Sequence, residues 1–404
     1  LKIAIIHVSD MGGGAERSVL TLHQSLLDLG HDSRLLVGSK RGNEPGVVEI
    51  DRNRPIPGVL RVTRRLESSG LQNLYSPWFR ALSSQLAGTD VVHMHSLWKS
   101  RENFADLTGV KQIASEFPTV MTLRDSWMLT GHCACPVGCQ RWQTGCGRCP
   151  DLARTPAVQR DWTAMNWRRK RRTVQRTNLY VTTVSHWLKD EVTKSPIFKE
   201  KPIHVVHNSI NEDAFQPADR EQKRQSLSIP PNRFVVLLVA KGIDGPSYEA
   251  IDALNALDPS KFHLLLVSKP NSISTEQLSI PTTILSPRMT EAEMAECYQA
   301  SDVTVVPSYF ETFGRVAAES LFCGTPVIAY RTGGLPEIIN DGCCGRTIDP
   351  GDTTALINEL KTMASHPQQL EEMRAECVAH SRPRFNRNRI ATDYLSVYRQ
   401  AADS

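Results

Sequence analysis

Short runs of Val, Ile and Leu recur along the chain, separated by longer stretches whose apolar positions repeat at helical spacing. In the first half these runs fall at Lys2 to Val8, Ser33 to Val37, Val91 to His95, Thr119 to Leu123 and Tyr180 to Val184. Continuous apolar runs of this kind read as strands buried on both faces. The stretches between them read as helices, the first from Ala15 to Leu29 and ended by Gly30 in a left-handed cap. The alternation restarts with Phe234 to Ala240, His263 to Val267, Thr283 to Leu285, Val303 to Val306 and Pro326 to Tyr330. Strand and helix in alternation predict parallel sheets with helices on both faces, so the expected class is α/β, doubly wound, and present twice.

A polar stretch from His207 to Ala218, carrying Asn, Asp and Pro, reads as the linker. It separates a first domain over residues 1–208 from a second over 209–388, and a last helix over 389–404 is expected to pack back on the first. Length agrees, because 404 residues exceed what one ordinary core supports. With 40% apolar and 22% charged residues the chain is globular. No apolar run reaches bilayer length, and the first strand lacks the pattern of a signal peptide. The expectation is a cytoplasmic protein.

A net charge of +4 is too mild to require nucleic acid. Arg168 to Arg172, and Arg61, Arg64 and Arg65 among apolar residues, read either as solvated helix faces or as contacts for anionic lipid headgroups. The second reading gives a peripheral contact with the inner face of a membrane.

The stretch Pro307 to Tyr330 carries the most chemistry. A strand ends at Val306, a loop bears Glu311, a helix starts near Gly314 and stops at Gly324, and Pro326 opens the next strand. Backbone N–H groups at such a helix start attract anions, and a diphosphate fits the pattern. Carboxylates beside a diphosphate reach hydroxyls, so Glu311 would accept bonds from a hexose and Glu319 from a ribose. Alternatively Glu311 caps the helix and Glu319 forms a surface pair. The Gly12 to Gly14 turn after the first strand would cradle a phosphate or simply be a tight turn. His7, His93, His95, His186 and His204, on or beside strands, read as satisfied core histidines.

Ten cysteines in a chain without a leader argue for thiols or metal ligands over a disulfide framework. Cys133, Cys139, Cys146 and Cys149 fall in an insert over residues 132–150 and suit a tetrahedral structural zinc. Reduced thiols packing a small loop, or a disulfide pair, are the other readings.

Glu311, Phe313, Gly314 and Glu319 resemble the E-x-F-G-x4-E arrangement of retaining family-four glycosyltransferases. The likeness continues through Gly324 to Ile328, Thr332 to Ile339, Asp341-Gly342 and Asp349 to Asp352. In the first half it is carried by Gly12 to Arg17, Val92 to His95 and Thr122 to Asp125. The resemblance implies a GT-B fold, two Rossmann-like domains facing a central cleft, the first binding a sugar or lipid-linked acceptor and the second a nucleotide diphosphate sugar. It implies that Glu311 contacts the transferred sugar, that Phe313, Gly314, Arg315 and Val316 line the donor, and that Glu319 holds the ribose. Gly333 and Gly334 would let backbone approach the donor, and the loop with Gly13 and Gly14 would face its phosphates or the acceptor.

Three departures stand out. Arg124-Asp125 replaces the family's usual His-Asp pair on the catalytic side, Lys241 stands in for an Arg with the usual second cation missing, and Ser209 replaces a Gly. A guanidinium at residue 124 would offer paired donors to an acidic substrate. The cysteine insert resembles a loop in a subset of exopolysaccharide glycosyltransferases, which implies cell-surface polysaccharide assembly. No cofactor is implied for catalysis. A binding subunit that has lost turnover is the alternative, and a nucleotide-sugar epimerase is disfavoured by the Glu311 and Glu319 spacing.

Overall fold

The computed structural model describes residues 1–50, 57–95, 97–98, 104–240, 245–269, 273, 277–286 and 289–404. The chain divides into two units, residues 1–209 with 390–404, and residues 210–389. Among the described residues the first contains β1 (Lys2–Ser9), β2 (Asp32–Ser39), β3 (Val47–Glu49), β4 (Val91–Met94), β5 (Thr119–Leu123), β6 (Leu179–Thr183) and β7 (Ile203–Val205). They lie in the order β3-β2-β1-β4-β5-β6-β7, and every pairing is parallel.

The second unit repeats the plan with β8 (Phe234–Val239), β9 (Phe262–Val267), β10 (Thr282–Leu285), β11 (Val303–Val306), β12 (Val327–Tyr330) and β13 (Gly345–Ile348). Their order is β10-β9-β8-β11-β12-β13, again all parallel. The expected α/β class with two doubly wound sheets is what the chain forms. Three short strands, β3, β7 and β13, carry too few apolar residues to stand out by pattern. They are ordered by pairing with β2, β6 and β12.

Both cores follow from the apolar runs. In the first unit Ile3, Ile5, Val91 and Val120 pack against Val19, Leu22 and Leu26 of the helix Gly14–Asp28. The same core includes Ile390, Tyr394 and Tyr398 of the final helix Arg387–Ala402. In the second unit Val236, Leu238, Leu264, Leu266, Val303 and Val305 meet Ile251, Leu254, Leu356 and Leu360.

In each sheet the winding reverses beside the first strand, between β1 and β4 and between β8 and β11. Loops leaving the carboxyl ends there diverge to opposite faces and leave a crevice, the usual ligand position in open α/β sheets.

Candidate active site

At the β8/β11 reversal of the second unit, two loops interlock. The first leaves β11 and carries Glu311 to Gly314, which caps the helix Arg315–Phe322. The second leaves β12 and turns through Thr332, Gly333 and Gly334. The Gly334 N–H donates to the Glu311 carbonyl at 2.9 Å, and the Thr332 hydroxyl donates to the Ser308 carbonyl at 2.6 Å. Gly333 has φ of +55°, and a Cβ there would stand 1.7 Å from the Glu311 carbonyl oxygen. Only glycine permits that approach. Gly314 has φ of +99° and faces Leu335, whose Cδ2 would lie 2.7 Å from an added Cβ.

The Glu311 backbone is thus fixed from two sides. Its carboxylate accepts the Gly314 N–H at 3.1 Å, a capping role the sequence left open. Glu319 pairs with Arg315, but at 5% exposure the pair is largely buried and not a surface one. The Tyr298 hydroxyl donates to its Oε2 at 3.0 Å, and Arg315 Nε donates to Oε1 at 2.9 Å. Arg315 also lies 3.8 Å from Glu291. Burial, with the Glu319 charge beside it, raises the Tyr298 hydroxyl well above its ordinary range, so it stays a donor. Phe313 is buried edge-on to Phe385 with ring centroids 5.5 Å apart, and Val316 is half-buried. Lys241 lies outside the described residues.

In the first unit, Gly13 and Gly14 follow β1. The Gly13 N–H donates to Glu16 Oε2 at 2.9 Å, so the helix Gly14–Asp28 is capped by its own carboxylate.

Arg124 and Asp125 follow β5 directly. The Arg124 guanidinium turns inward, with Nε donating to His95 Nδ1 at 3.3 Å and Nη1 donating to Asn208. Because a guanidinium only donates, His95 Nδ1 must accept, which leaves the His95 proton on Nε2 facing His93 Nδ1 at 3.2 Å. His93 Nδ1 also receives the Tyr398 hydroxyl at 2.7 Å, so its own proton sits on Nε2 and is donated to Thr122 at 2.6 Å. Burial first, then neighbouring positive charge, holds both imidazoles well below their ordinary pKa and neutral. His93 and His95 are satisfied core histidines, and Arg124 sets their tautomers. Two of the Arg124 donor positions, Nε and Nη1, are thus engaged inward.

Asp125 accepts the Trp127 N–H at 2.8 Å and the Trp98 indole N–H at 3.1 Å, while burial pushes its carboxyl up. Trp98, Trp127, Arg124, Asp125 and His95 surround a cavity of about 20 Å³.

Cys133, Cys139, Cys146 and Cys149 line a second cavity of about 20 Å³ together with His132. All ten cysteines are thiols rather than disulfides. Burial pushes the Cys146 thiol up to about 12 and raises Cys133 and Cys149 as well, which disfavours their thiolates. Among the described residues, no three Cys, His, Asp or Glu side chains stand in ion-binding geometry. Lys170 is buried beside them and donates to the Trp127 and Thr130 carbonyls at 2.5 and 3.0 Å.

Sequence reasoning missed Tyr298, Asn208, Trp98 and Lys170. Each acts across a tertiary contact, for which neither spacing nor composition gives a signal; Lys170 is hidden within a basic run that reads as a solvated face.

Residues 12–214 match the family described as Glycosyltransferase Family 4, and residues 219–382 match Glycosyl transferases group 1. The first match covers half of the chain, which therefore belongs to glycosyltransferase family 4. Its curated relatives include D-inositol 3-phosphate glycosyltransferase 2 of Catenulispora acidiphila, 31% identical over 222 residues, 50% of this chain and 51% of that protein. The D-inositol 3-phosphate glycosyltransferase of Acidothermus cellulolyticus is 33% identical over 217 residues, 49% and 48% of the two chains. The chain spans about half the length of the curated relatives it matches.

Among solved structures, sucrose-phosphate synthase of Thermosynechococcus elongatus superposes with a TM-score of 0.72 at 20% identity, covering 99% of this chain and 98% of that one. Anabaena HepE in complex with UDP and glucose gives 0.70 at 18% identity, covering 98% of each. At such identities the likeness speaks for the two-sheet GT-B fold alone.

Proposed function

We propose that the chain is a retaining glycosyltransferase that takes a hexosyl group from a nucleotide diphosphate sugar. The acceptor is a sugar or lipid-linked sugar bound by the first unit, and the pathway is cell-surface polysaccharide assembly. The observation that carries this reading is the interlocked pair of loops at the β8/β11 reversal, which fixes the Glu311 backbone beside a helix start.

In this reading the diphosphate takes the backbone N–H groups at Phe313 and Gly314, and the Glu311 carboxylate exchanges the Gly314 N–H for a sugar hydroxyl. Glu319, already accepting from Tyr298 and Arg315, keeps lone pairs for the ribose diol. Gly333 and Gly334 leave room for close approach, and Lys241 stabilises the leaving charge. The bond from the anomeric carbon to the diphosphate breaks, a bond to the acceptor oxygen forms, and the acceptor hydroxyl passes its proton to the leaving diphosphate oxygen. Positioning and charge stabilisation supply the acceleration, without a catalytic metal. Asp125 stands on the acceptor side, oriented by Trp98 and Trp127. The match to Glycosyl transferases group 1 over residues 219–382 supports a sugar donor held by the second unit.

Peripheral membrane contact is supported by the helix Pro57–Ser68, where Val62 and Leu66 are 61% and 39% exposed beside exposed Arg61 and Arg65. Among the described residues no helix is long and apolar enough to cross a membrane. Cytoplasmic placement at the inner membrane face belongs to the same proposal.

A binding subunit without turnover is the second reading, favoured by the inward Arg124 and by the engagement of Glu311 and Glu319 with protein groups. The deciding experiment screens purified protein against nucleotide diphosphate sugars for transfer and slow hydrolysis, with product anomers assigned by NMR. Glu311→Gln is expected to lower turnover at least about 100-fold, the scale of losing one positioned polar group, with an unchanged circular dichroism spectrum. Turnover near wild type in that variant refutes the donor site. Nucleotide binding without turnover in the wild type selects the binding subunit.

A further inference from the structure

At the amino-terminal ends of β8, β9 and β11 the second unit opens a cavity of about 650 Å³. Because the strands are parallel, it lies at the other end of the sheet from the loops that carry Glu311 and Gly333. Phe234 and Phe262 open β8 and β9, and Asp302 precedes β11. Other walls come from the helices Arg220–Ser226, Thr353–Ser365 and Pro367–Phe385. Sites for small organic ligands span about 300–1,000 Å³, so the volume suits one such molecule.

The charges of the lining do not balance. Asp302 accepts from Arg224 Nη2 at 2.6 Å and from Arg220 Nη1 at 3.1 Å, and Glu371 accepts from Arg220 Nη2 at 2.8 Å. Those two carboxylates offset those two arginines. Arg233, Lys261 and Lys361 also line the cavity, and among the described residues none of the three is in an ion pair. Arg233 Nη1 donates to the Pro259 and Phe262 carbonyls, which engage its protons without cancelling its charge. The last carboxylate of the lining, Asp258, accepts the Ser260 N–H and hydroxyl at 2.9 and 2.6 Å. Three cations against that one carboxylate leave an excess of two positive charges. One helix ends and the next begins at this cavity, so their dipoles offset and the excess is carried by side chains. A concave wall of one sign focuses its field and concentrates anions.

Apolar side chains share the lining. Phe234 is half-buried and meets Phe262 edge-on with ring centroids 5.6 Å apart, and Met363 and Leu370 belong to the same core. A bare inorganic anion would use neither the volume nor this surface. We infer that the cavity binds a phosphate monoester of a ring compound, its phosphate held by Arg233, Lys261 and Lys361 and its ring against Phe234. A phosphate monoester carries about −1.5 to −2 at pH 7, which matches the excess of two. The site is independent of the donor reading, since it uses none of the residues assigned to the donor.

The test is calorimetric titration of the full chain with glucose 6-phosphate, ribose 5-phosphate, the two parent sugars and inorganic phosphate, with hydrogen exchange to locate the bound probe. Both esters should bind, with affinity falling as salt rises, the parent sugars should not, and inorganic phosphate should bind at least about 10-fold more weakly. Lys261→Glu and Lys361→Glu change exposed positions. Each should weaken ester binding at least about 10-fold, the scale of losing a hydrogen bond to a charged group, with an unchanged melting temperature. Exchange should slow at residues 232–234, 260–262 and 361–367. Failure of both esters to bind overturns the site, as does unchanged affinity in both lysine variants. Protection confined to residues 307–314 assigns the esters to the donor loops and overturns it too. Inorganic phosphate binding as tightly as the esters overturns the ring contact.

Discussion

Glu319 sits where two demands meet. Its carboxylate neutralises Arg315, which is 12% exposed, and it holds the buried Tyr298 hydroxyl. Glu319→Ala takes the nearer carboxylate from the nearly buried Arg315, leaving Glu291 at 3.8 Å, and removes the acceptor of the Tyr298 hydroxyl, a loss of about 1–3 kcal/mol in stability. Loss of the ribose bond should in addition weaken nucleoside diphosphate binding by about 1–3 kcal/mol. Urea unfolding separates the first effect and calorimetric titration of the folded variant the second; equal affinity in both proteins would refute the ribose role. Glu319→Gln keeps the shape and should cost less stability.

A second residue-scale effect concerns His263 on β9, whose Nε2 lies 3.0 Å from Thr283. Burial, with Arg233 and Arg224 nearby, lowers its pKa from 6.5 to about 4. Because the folded value is the lower one, the unfolded chain binds the proton first as pH falls. Stability of the second unit should therefore drop between pH 6.5 and about 4. Urea midpoints across that interval, compared with His263→Gln, measure the contribution; parallel pH profiles would refute it.

The final helix is the element with the greatest reach. Arg387–Ala402 lies more than 170 residues after β7 in the chain, yet Ile390, Tyr394 and Tyr398 enter the first unit's core. Tyr398 also fixes His93, and through it the tautomer chain that ends at Arg124. Deleting residues 390–404 opens an apolar cavity lined by Ile3, Val91 and Val120 and leaves His93 one donor short. Each large buried side chain removed typically costs about 3–5 kcal/mol, so the loss exceeds the usual stability of a domain. The first unit is expected to be digested rapidly by trypsin while residues 210–389 resist. Survival of an intact first unit would show that the helix contributes little.

For the whole molecule, the two sheets share a plan but not a ligand in the proposed reading. A nucleoside diphosphate at 100 times its dissociation constant should stabilise the unit that binds it by about 2.7 kcal/mol. Hydrogen exchange should then slow at residues 307–314 and 332–335 on the second unit. Protection confined to the first unit would move the donor site.

The apolar runs alone specified two parallel α/β sheets, because a strand covered on both faces needs continuous Val, Ile and Leu and little else. They also specified the turn positions, since Gly30, Gly314 and Gly324 all adopt the positive φ that punctuates a helix. Motif spacing pointed to Glu311 and Glu319 as candidate ligands. What it could not decide was where their carboxylates point. Glu311 caps its own helix, and Glu319 is held by Tyr298 from a neighbouring helix. Arg124 read as an outward donor and bonds inward, because His95 and Asn208 come from other strands and loops and meet it only after folding. Local pattern fixes backbone and burial through short-range sterics and water exclusion. Side-chain partners depend on groups far apart in sequence, so the charge balance of this site was settled by the tertiary structure.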